Sequence, residues 1–372
     1  MQPVPAAMPP ERLLLGPGPS PVHPRVLEAQ GRGTVGHLDP FAFEVAEQIA
    51  GMLRTVFRTR NPLTHAVSGT GSAAMETAVL NLVEPGDTVV VGVNGVFGGR
   101  IADMAGRAGA DVVVLEERWG RAIPPERVES AVRAHPEAKL VALVHGESST
   151  GVQQPLEEVG ALLRDTDTLF AVDVVASLGG VPVEVDAWGI DAAYGCTQAC
   201  LSVPPGLGPI TFSPKAEAAM AARRTTVRSW YLDLAGVRRW WGSERAHHHA
   251  VPVNALLGLH EGLRLVLEEG LETRWARHAE VGRLFQEHVQ DRDAVLLADA
   301  AHRLPHLTAL AWPETIDATK LRHRLLEAHG IEVGDGLGEH AGRAWRVGFM
   351  GEGARHDLVD RLLDAVDELL EG

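Results

Sequence analysis

The chain has 372 residues, of which 45% are hydrophobic and 22% charged, with a formal net charge of −15. That length allows two domains, or one large domain with an appendage, at the composition of a globular protein. The acidic balance argues against a nucleic-acid or anionic-membrane surface, and no uninterrupted apolar run is long enough to span a bilayer.

Residues 1–12 read as an arm. Met1 to Pro10 is rich in Pro and Ala, lacks a basic start followed by an apolar core, and is not expected to be a secretory signal. Leu13 to Leu15 runs into a rigid turn, Gly16-Pro-Gly-Pro-Ser20. The turn serves either as a simple start of the folded chain or as the backbone wall of a substrate pocket, because Gly18 permits close approach.

From residue 61 strands and helices alternate. Leu63 to Ser68 reads as a strand leading into Gly69-Thr-Gly-Ser72, after which Met75, Ala78, Val79 and Leu82 repeat at helical spacing. Further short strands are expected at Thr88–Val93, Val112–Leu115, Leu140–Val144, Leu169–Val172, Ala192–Tyr194 and Pro209–Phe212. Continuous apolar runs separated by helical segments argue for an α/β fold with a mostly parallel sheet covered on both faces. After Pro252 the texture changes: Asn254–Glu268 and Thr273–Val289 read as long helices, and two short strands follow at Leu307–Ala311 and Ala344–Phe349. In the last helix Leu358, Leu362, Ala365, Val366 and Leu369 share a face. The expected organisation is an arm over 1–21, a large domain over 22–265 and a smaller C-terminal α/β domain over 266–372.

Several post-strand loops carry residues suited to chemistry. Thr70, Gly71 and Ser72 open a helix, where backbone N–H groups and small hydroxyls suit a phosphate. The same turn matches a dinucleotide pattern through Ala74, but the next strand ends near Asn94 rather than at an acid. Asp173 closes the run Leu-Phe-Ala-Val-Asp, at the strand end where open sheets bind ligands. A helix or turn cap is the plainer use of such an aspartate. Ser148, in His145-Gly-Glu-Ser-Ser-Thr-Gly151, and Phe97, in Gly-Val-Asn-Gly-Val-Phe-Gly, are candidate contacts to a planar ring, or ordinary loop and core residues. Arg346 lies in an apolar strand, where a guanidinium needs an anion such as a substrate carboxylate or an ion-pair partner.

Two cysteines, Cys196 and Cys200, suit a reducing cytosol rather than a disulfide framework, and the expected location is cytoplasmic. His247-His248-His249 is not expected to hold a metal, since adjacent side chains do not face one point on either regular structure.

Taken in order, Gly-Thr-Gly-Ser, Val-Asn-Gly-Val-Phe-Gly, His-Gly-Glu-Ser-Ser-Thr-Gly, Val-Asp-x-Val-Ala-Ser-Leu-Gly-Gly, Thr-Gln-x-Cys-Leu…Pro-Pro-Gly, Ser-Trp-Tyr-Leu-Asp and Trp-Arg-Val-Gly span nearly the whole chain. The series resembles the class V aminotransferase family, in its alanine–glyoxylate and serine–pyruvate branch. The resemblance implies a fold type I architecture, with a mostly parallel, seven-stranded-type sheet. It also implies pyridoxal 5′-phosphate (PLP) as cofactor, a small amino acid and a 2-oxo acid as substrates, and a homodimer with shared active sites. Carried across, Thr70, Gly71, Ser72 and Gln198 would hold the phosphate. Phe97 would stack on the ring, Ser148 would face its phenolic oxygen and Asp173 would pair with the pyridinium nitrogen. Gly18 and Arg346 would contact the substrate. The family offers a partner-chain Tyr and Thr to the phosphate, at positions that read His247 and Ala250 here; His247 could still donate.

The largest departure is Ala199. In the family motif the residue after Gln is the lysine that forms the Schiff base with PLP; here Ala199 follows Gln198. A methyl group neither forms that bond nor carries a proton, so the chain is expected to be inactive or strongly impaired. The chain is then a Lys→Ala variant or a natural non-catalytic relative. The other lysines are Lys139, Lys215 and Lys320. Lys215, expected at a helix start, is not expected to substitute. A lyase or carbon–carbon bond-forming enzyme on the same scaffold is the alternative within PLP chemistry.

Overall fold

The structure is a computed structural model that describes residues 6–371; the first five residues of the expected arm lie outside it. Its centre is a seven-stranded sheet in the order Leu63–Ser68, Leu207–Phe212, Ala192–Tyr194, Leu169–Asp173, Leu140–Val144, Thr88–Val93, Asp111–Glu116. Leu207–Phe212 runs antiparallel to both neighbours, and the other neighbouring pairs are parallel.

Side-chain alternation feeds two cores. Val90, Val141, Leu143, Phe170 and Val172 face the helices Pro40–Val56 and Val253–Glu269. Val89, Val91, Leu140, Ala142, Ala171 and Ile210 face Gly71–Leu82 and Val96–Ala108. Apart from the edge strand Asp111–Glu116, the strands are therefore buried on both sides, which is why they read as unbroken apolar runs.

A second sheet is antiparallel, in the order Val295–Leu296, Leu307–Ala311, Ala344–Gly348, Gly334–Asp335. It packs with Leu271–Gln290, Ala318–His329 and His356–Glu371 around Trp345, Phe285, Leu325 and Leu362. Leu13–Leu14 pairs in parallel with Ile331–Glu332, which ties the start of the described chain to this part of the molecule. No described helix is long and apolar enough to cross a membrane.

The helices Pro24–Gln30 and Pro40–Val56 precede the first central strand. The second starts at a simple signal: the Asp39 side chain accepts from Phe41 N at 2.9 Å, and Pro40 takes the first helical position.

Candidate active site

Five loops leave the C-terminal ends of the parallel strands, and they meet. They follow Ser68, Val93, Val144, Asp173 and Tyr194. This is the edge at which an open α/β sheet binds ligands.

The loop after Ser68 becomes the first turn of Gly71–Leu82. Thr70 is its N-cap but makes no side-chain capping bond, so the leading N–H groups of the helix stay open to an anion. Gly71 is buried there, and a Cβ on it would meet Val175 at 2.9 Å and Cys196 at 3.1 Å. Ser72 is exposed beside it.

Asp173 is the last residue of its strand and 2% exposed. Its Oδ1 accepts from Val175 N at 2.8 Å. Its Oδ2 is buried with no hydrogen-bond partner, and so is the hydroxyl of Tyr194 on the adjacent strand, at the paired register position. Burial raises the Asp173 carboxyl to about 7; the Val175 N–H, the Tyr194 hydroxyl close by and the Arg100 charge oppose the rise, and the Glu147 charge adds to it. An orphaned buried acceptor costs roughly 1–3 kcal/mol. It is repaid when a cationic N–H arrives, and the pyridinium of PLP is such a group.

Phe97 lies in the first turn of Val96–Ala108, half-buried. That turn is held by Glu147, whose Oε2 accepts from Phe97 N at 3.0 Å and Gly98 N at 3.2 Å. Oε1 of the same group accepts from Ser149 N at 3.0 Å and Ser149 Oγ at 2.5 Å. Burial holds the Glu147 carboxyl above its ordinary range, and these four donors offset only part of that rise. Two donors from the helix start and two from Ser149, with no acceptor, favour the carboxylate. Ser148 is buried in the turn that Glu147 closes.

The turn Gln198–Ala199 sits against the Gly16–Ser20 segment. Ser20 N donates to Gln198 O at 2.9 Å, and a Cβ on Gly18 would lie 3.3 Å from the same oxygen, at a φ of +123°. Gln198 Oε1 is buried without a partner. Ala199 is 2% exposed and packs with Cys196, Cys200 and Met350. Arg346 comes to the same place from the second sheet: it pairs with Gly334, whose added Cβ would press on Pro17. Its Nε donates to Asp335 O at 2.7 Å. Burial lowers its pKa, and the Asp335 and Glu147 charges oppose that.

Thr70, Gly71, Ser72, Phe97, Ser148, Asp173, Gln198, Ala199, Gly18 and Arg346 thus all lie on loops, strands or first helical turns around one crevice. His247 does not join them within the chain. It meets His37, with Nε2 and Nδ1 at 2.8 Å, while His249 is the histidine beside the phosphate turn, 2.8 Å from Ser68 Oγ. The adjacent rings of His248 and His249 do meet, Nδ1 to Nδ1 at 2.8 Å. The rule that neighbours diverge holds for helices and strands, and residues 246–250 are in neither. No group of three or more His, Cys, Asp or Glu able to hold a metal occurs among the described residues. Lys215 opens the helix Pro214–Ala221 and donates to Thr168 O at 2.7 Å, just before the strand whose far end carries Asp173. It is roughly a strand's length, about 15 Å, from that end.

Sequence reasoning passed over Glu147, Tyr194, Arg100 and Arg274. Glu147 carried a usable signal, an acid inside a Ser/Thr/Gly loop just after a strand. The others are defined by partners far away in the chain.

The fold is that of the fold type I PLP enzymes. Residues 25–351 match the model of the family described as Aminotransferase class-V, and the chain belongs to that family. It is 41% identical to mouse (Mus musculus) alanine–glyoxylate aminotransferase over 366 residues, 97% of this chain and 88% of the mouse protein. It is 37% identical to the (S)-ureidoglycine–glyoxylate transaminase of Bacillus subtilis, over 97% of this chain and 91% of that one. A solved alanine–glyoxylate aminotransferase from Nostoc sp. superposes with a TM-score of 0.96 at 48% identity, covering 100% of this chain and 98% of the other. Members of the class work with PLP, and Asp173 and the open helix start at Thr70–Ser72 fit it.

Proposed function

We propose that this chain is the scaffold of a PLP-dependent aminotransferase that moves an amino group from a small amino acid to a 2-oxo acid of the glyoxylate or pyruvate type. In this reading it lacks the lysine that would attach the cofactor, because position 199 is alanine. The observation that carries the reading is the orphaned Oδ2 of Asp173, buried at the edge where the five loops meet.

Bound there, PLP supplies an electron sink at its protonated ring. The chain's residues do the rest. Thr70, Gly71, Ser72 and Gln198 hold the phosphate, and Phe97 supports one face of the ring. Ser148 contacts the phenolic oxygen. Asp173, as carboxylate, keeps the ring nitrogen protonated. Arg346, oriented by Asp335 O, takes the substrate carboxylate, and Gly18 lets the backbone approach it closely. Ala199 has no group to move a proton with, which costs roughly 10²–10⁴ in rate before the lost attachment is counted.

We further propose a homodimer in which His247 reaches the partner's phosphate site, and a cytoplasmic location, which suits the two buried, unpaired cysteines. Ala199 itself favours a second reading, a non-catalytic PLP-binding relative on the same scaffold.

The deciding assay gives the chain and its Ala199→Lys variant PLP, alanine and glyoxylate, and measures pyruvate and glycine. The aminotransferase reading expects turnover in the variant and little or none in the chain as it stands. A variant that consumes the amino acid without forming glycine or another amino acid from a 2-oxo acid points to a lyase. A variant that binds PLP but consumes nothing points to the non-catalytic relative.

A further inference from the structure

Two walls of the crevice come from different helices. Ser72 belongs to the first turn of Gly71–Leu82, and Phe97 to the first turn of Val96–Ala108. One side chain touches both. The guanidinium of Arg100 lies 4.8 Å from the centroid of the Phe97 ring, and its Nη1 donates to Ser72 Oγ at 3.2 Å. The first contact follows from helical spacing, since residues three apart are neighbours on a helix surface. The second crosses between helices. Arg107, two turns further on, is instead engaged by Asp103 of its own helix at 2.8 Å.

The chemistry suits arginine in particular. A flat guanidinium covers an aromatic ring with its face and still donates from its edge, and an ammonium on a flexible stem does not do both. The charge also reaches into the crevice, where it favours the carboxylate form of Asp173. Ser72 is exposed and Phe97 half-buried, so neither is fixed by dense core packing.

We propose that Arg100 is a positioning residue for the cofactor. It locks the ring platform at Phe97 to the phosphate cup at Ser72, so that the two present one preformed surface. Pre-organisation of this kind raises affinity by reducing the ordering that binding requires. The inference rests on the reading that the crevice holds PLP.

The test is PLP binding by equilibrium dialysis, with the circular dichroism induced in the bound chromophore. The chain as it stands is compared with Arg100→Met, Arg100→Lys, Ser72→Ala and the double variant Arg100→Met/Ser72→Ala. Arg100→Met should bind PLP about tenfold more weakly, because the platform and the cup must then be ordered on binding. Its induced dichroism should fall, and Arg100→Lys should recover little of either. Adding Ser72→Ala to Arg100→Met should cost less than Ser72→Ala does alone, because the two act through one contact. Binding by Arg100→Met within about twofold of the parent, with unchanged dichroism, overturns the inference while leaving the PLP site standing; so do fully additive losses. A parent chain that retains no PLP overturns the site and the inference together.

Discussion

The Ser20 hydroxyl donates to the Ala199 carbonyl at 2.6 Å. Its one proton is thereby committed, so the 3.0 Å contact between Ser20 Oγ and Ser202 Oγ has Ser202 as donor. Ser202 in turn accepts from Glu352 N at 3.0 Å. A single polarised relay therefore runs from the segment after the last strand, through Ser202 and Ser20, to the backbone of position 199. Ser202 holds a left-handed φ of 52°, a conformation this network pins. The turn is set by backbone and neighbours rather than by the side chain at 199. Ser20→Ala should leave the Ala199 carbonyl with only the longer 3.2 Å bond from Ser202 N, and the Ser202 hydroxyl without its acceptor, and destabilise the protein by about 1–3 kcal/mol in urea unfolding. No loss of stability would show that the relay is slack.

The next carbonyl is held more strongly. Arg274, 2% exposed, donates Nη2 to Cys200 O at 2.6 Å and pairs with Glu269 at 2.5 Å. Arg274→Met should cost about 1–3 kcal/mol, since it strips the buried Cys200 carbonyl of its donor while Glu269 keeps Arg277 at 2.6 Å. An unchanged urea midpoint would contradict this.

Asp173 gives a pH signature to the cofactor-free protein. Its carboxyl is held at about 7 in the folded chain, against an ordinary aspartate value of 3.8, chiefly by burial. Between those values the folded state keeps a proton that the unfolded chain has released. Stability contributed by Asp173 is therefore present at low pH and is lost as pH rises towards 7, by on the order of 2–4 kcal/mol. His145 and His306, held down near 3 and 4 by burial, act with the opposite slope below the usual histidine range. The readout is thus the difference in midpoint between parent and Asp173→Asn from pH 4.5 to 8. Asp173→Asn should gain on the parent as pH rises; a constant difference rules the account out.

Glu147 should be intolerant of its own amide. In Glu147→Gln an NH₂ group would face N–H donors at Phe97, Gly98 or Ser149, costing about 1–3 kcal/mol and releasing the turn that carries Phe97. Gly95→Ala should do similar damage, because a Cβ there collides with the Glu147 carboxyl and Ser149 Oγ. Unfolding midpoints and PLP retention should fall together in both variants. Wild-type values in either one would remove Glu147 from the account.

The proposed dimer has a surface to suit it. Leu38, Phe41, Trp230 and Tyr231 are exposed by 50%, 46%, 69% and 43%, and they flank the histidines that meet at His37 and His247 or stack at Trp230 and His248. Large apolar groups clustered in this way mark an interface. Light scattering at micromolar concentration should give twice the 39.8 kDa chain mass, and a folded monomer would sink the proposal.

The central sheet was legible because most of its strands are buried on both faces and so appear as unbroken apolar runs; Leu140–Val144 has the bounds expected of it. Pairs such as Leu13–Leu14 or Gly334–Asp335 were not, since a two-residue strand exists only through its partner. Asp39-Pro40 is a local start signal for the helix Pro40–Val56, a capping acceptor followed by proline at the first helical position. The candidate site was legible where residues end or follow strands, as Asp173 and Ser148 do. Arg100 and Arg274 were hidden because their roles are set by Ser72 and Cys200, distant in sequence or on another element.

The most direct measurement is covalent trapping. The Ala199→Lys variant is loaded with PLP, reduced with borohydride and mapped by peptide mass. A lysine there, on a turn held by Ser20 and beside the Asp173 crevice, is partly desolvated and nucleophilic near neutral pH. The account predicts one phosphopyridoxyl group per chain, on residue 199, with none in the unsubstituted protein. Label on Lys215, or no label on a protein that still binds PLP, would contradict it.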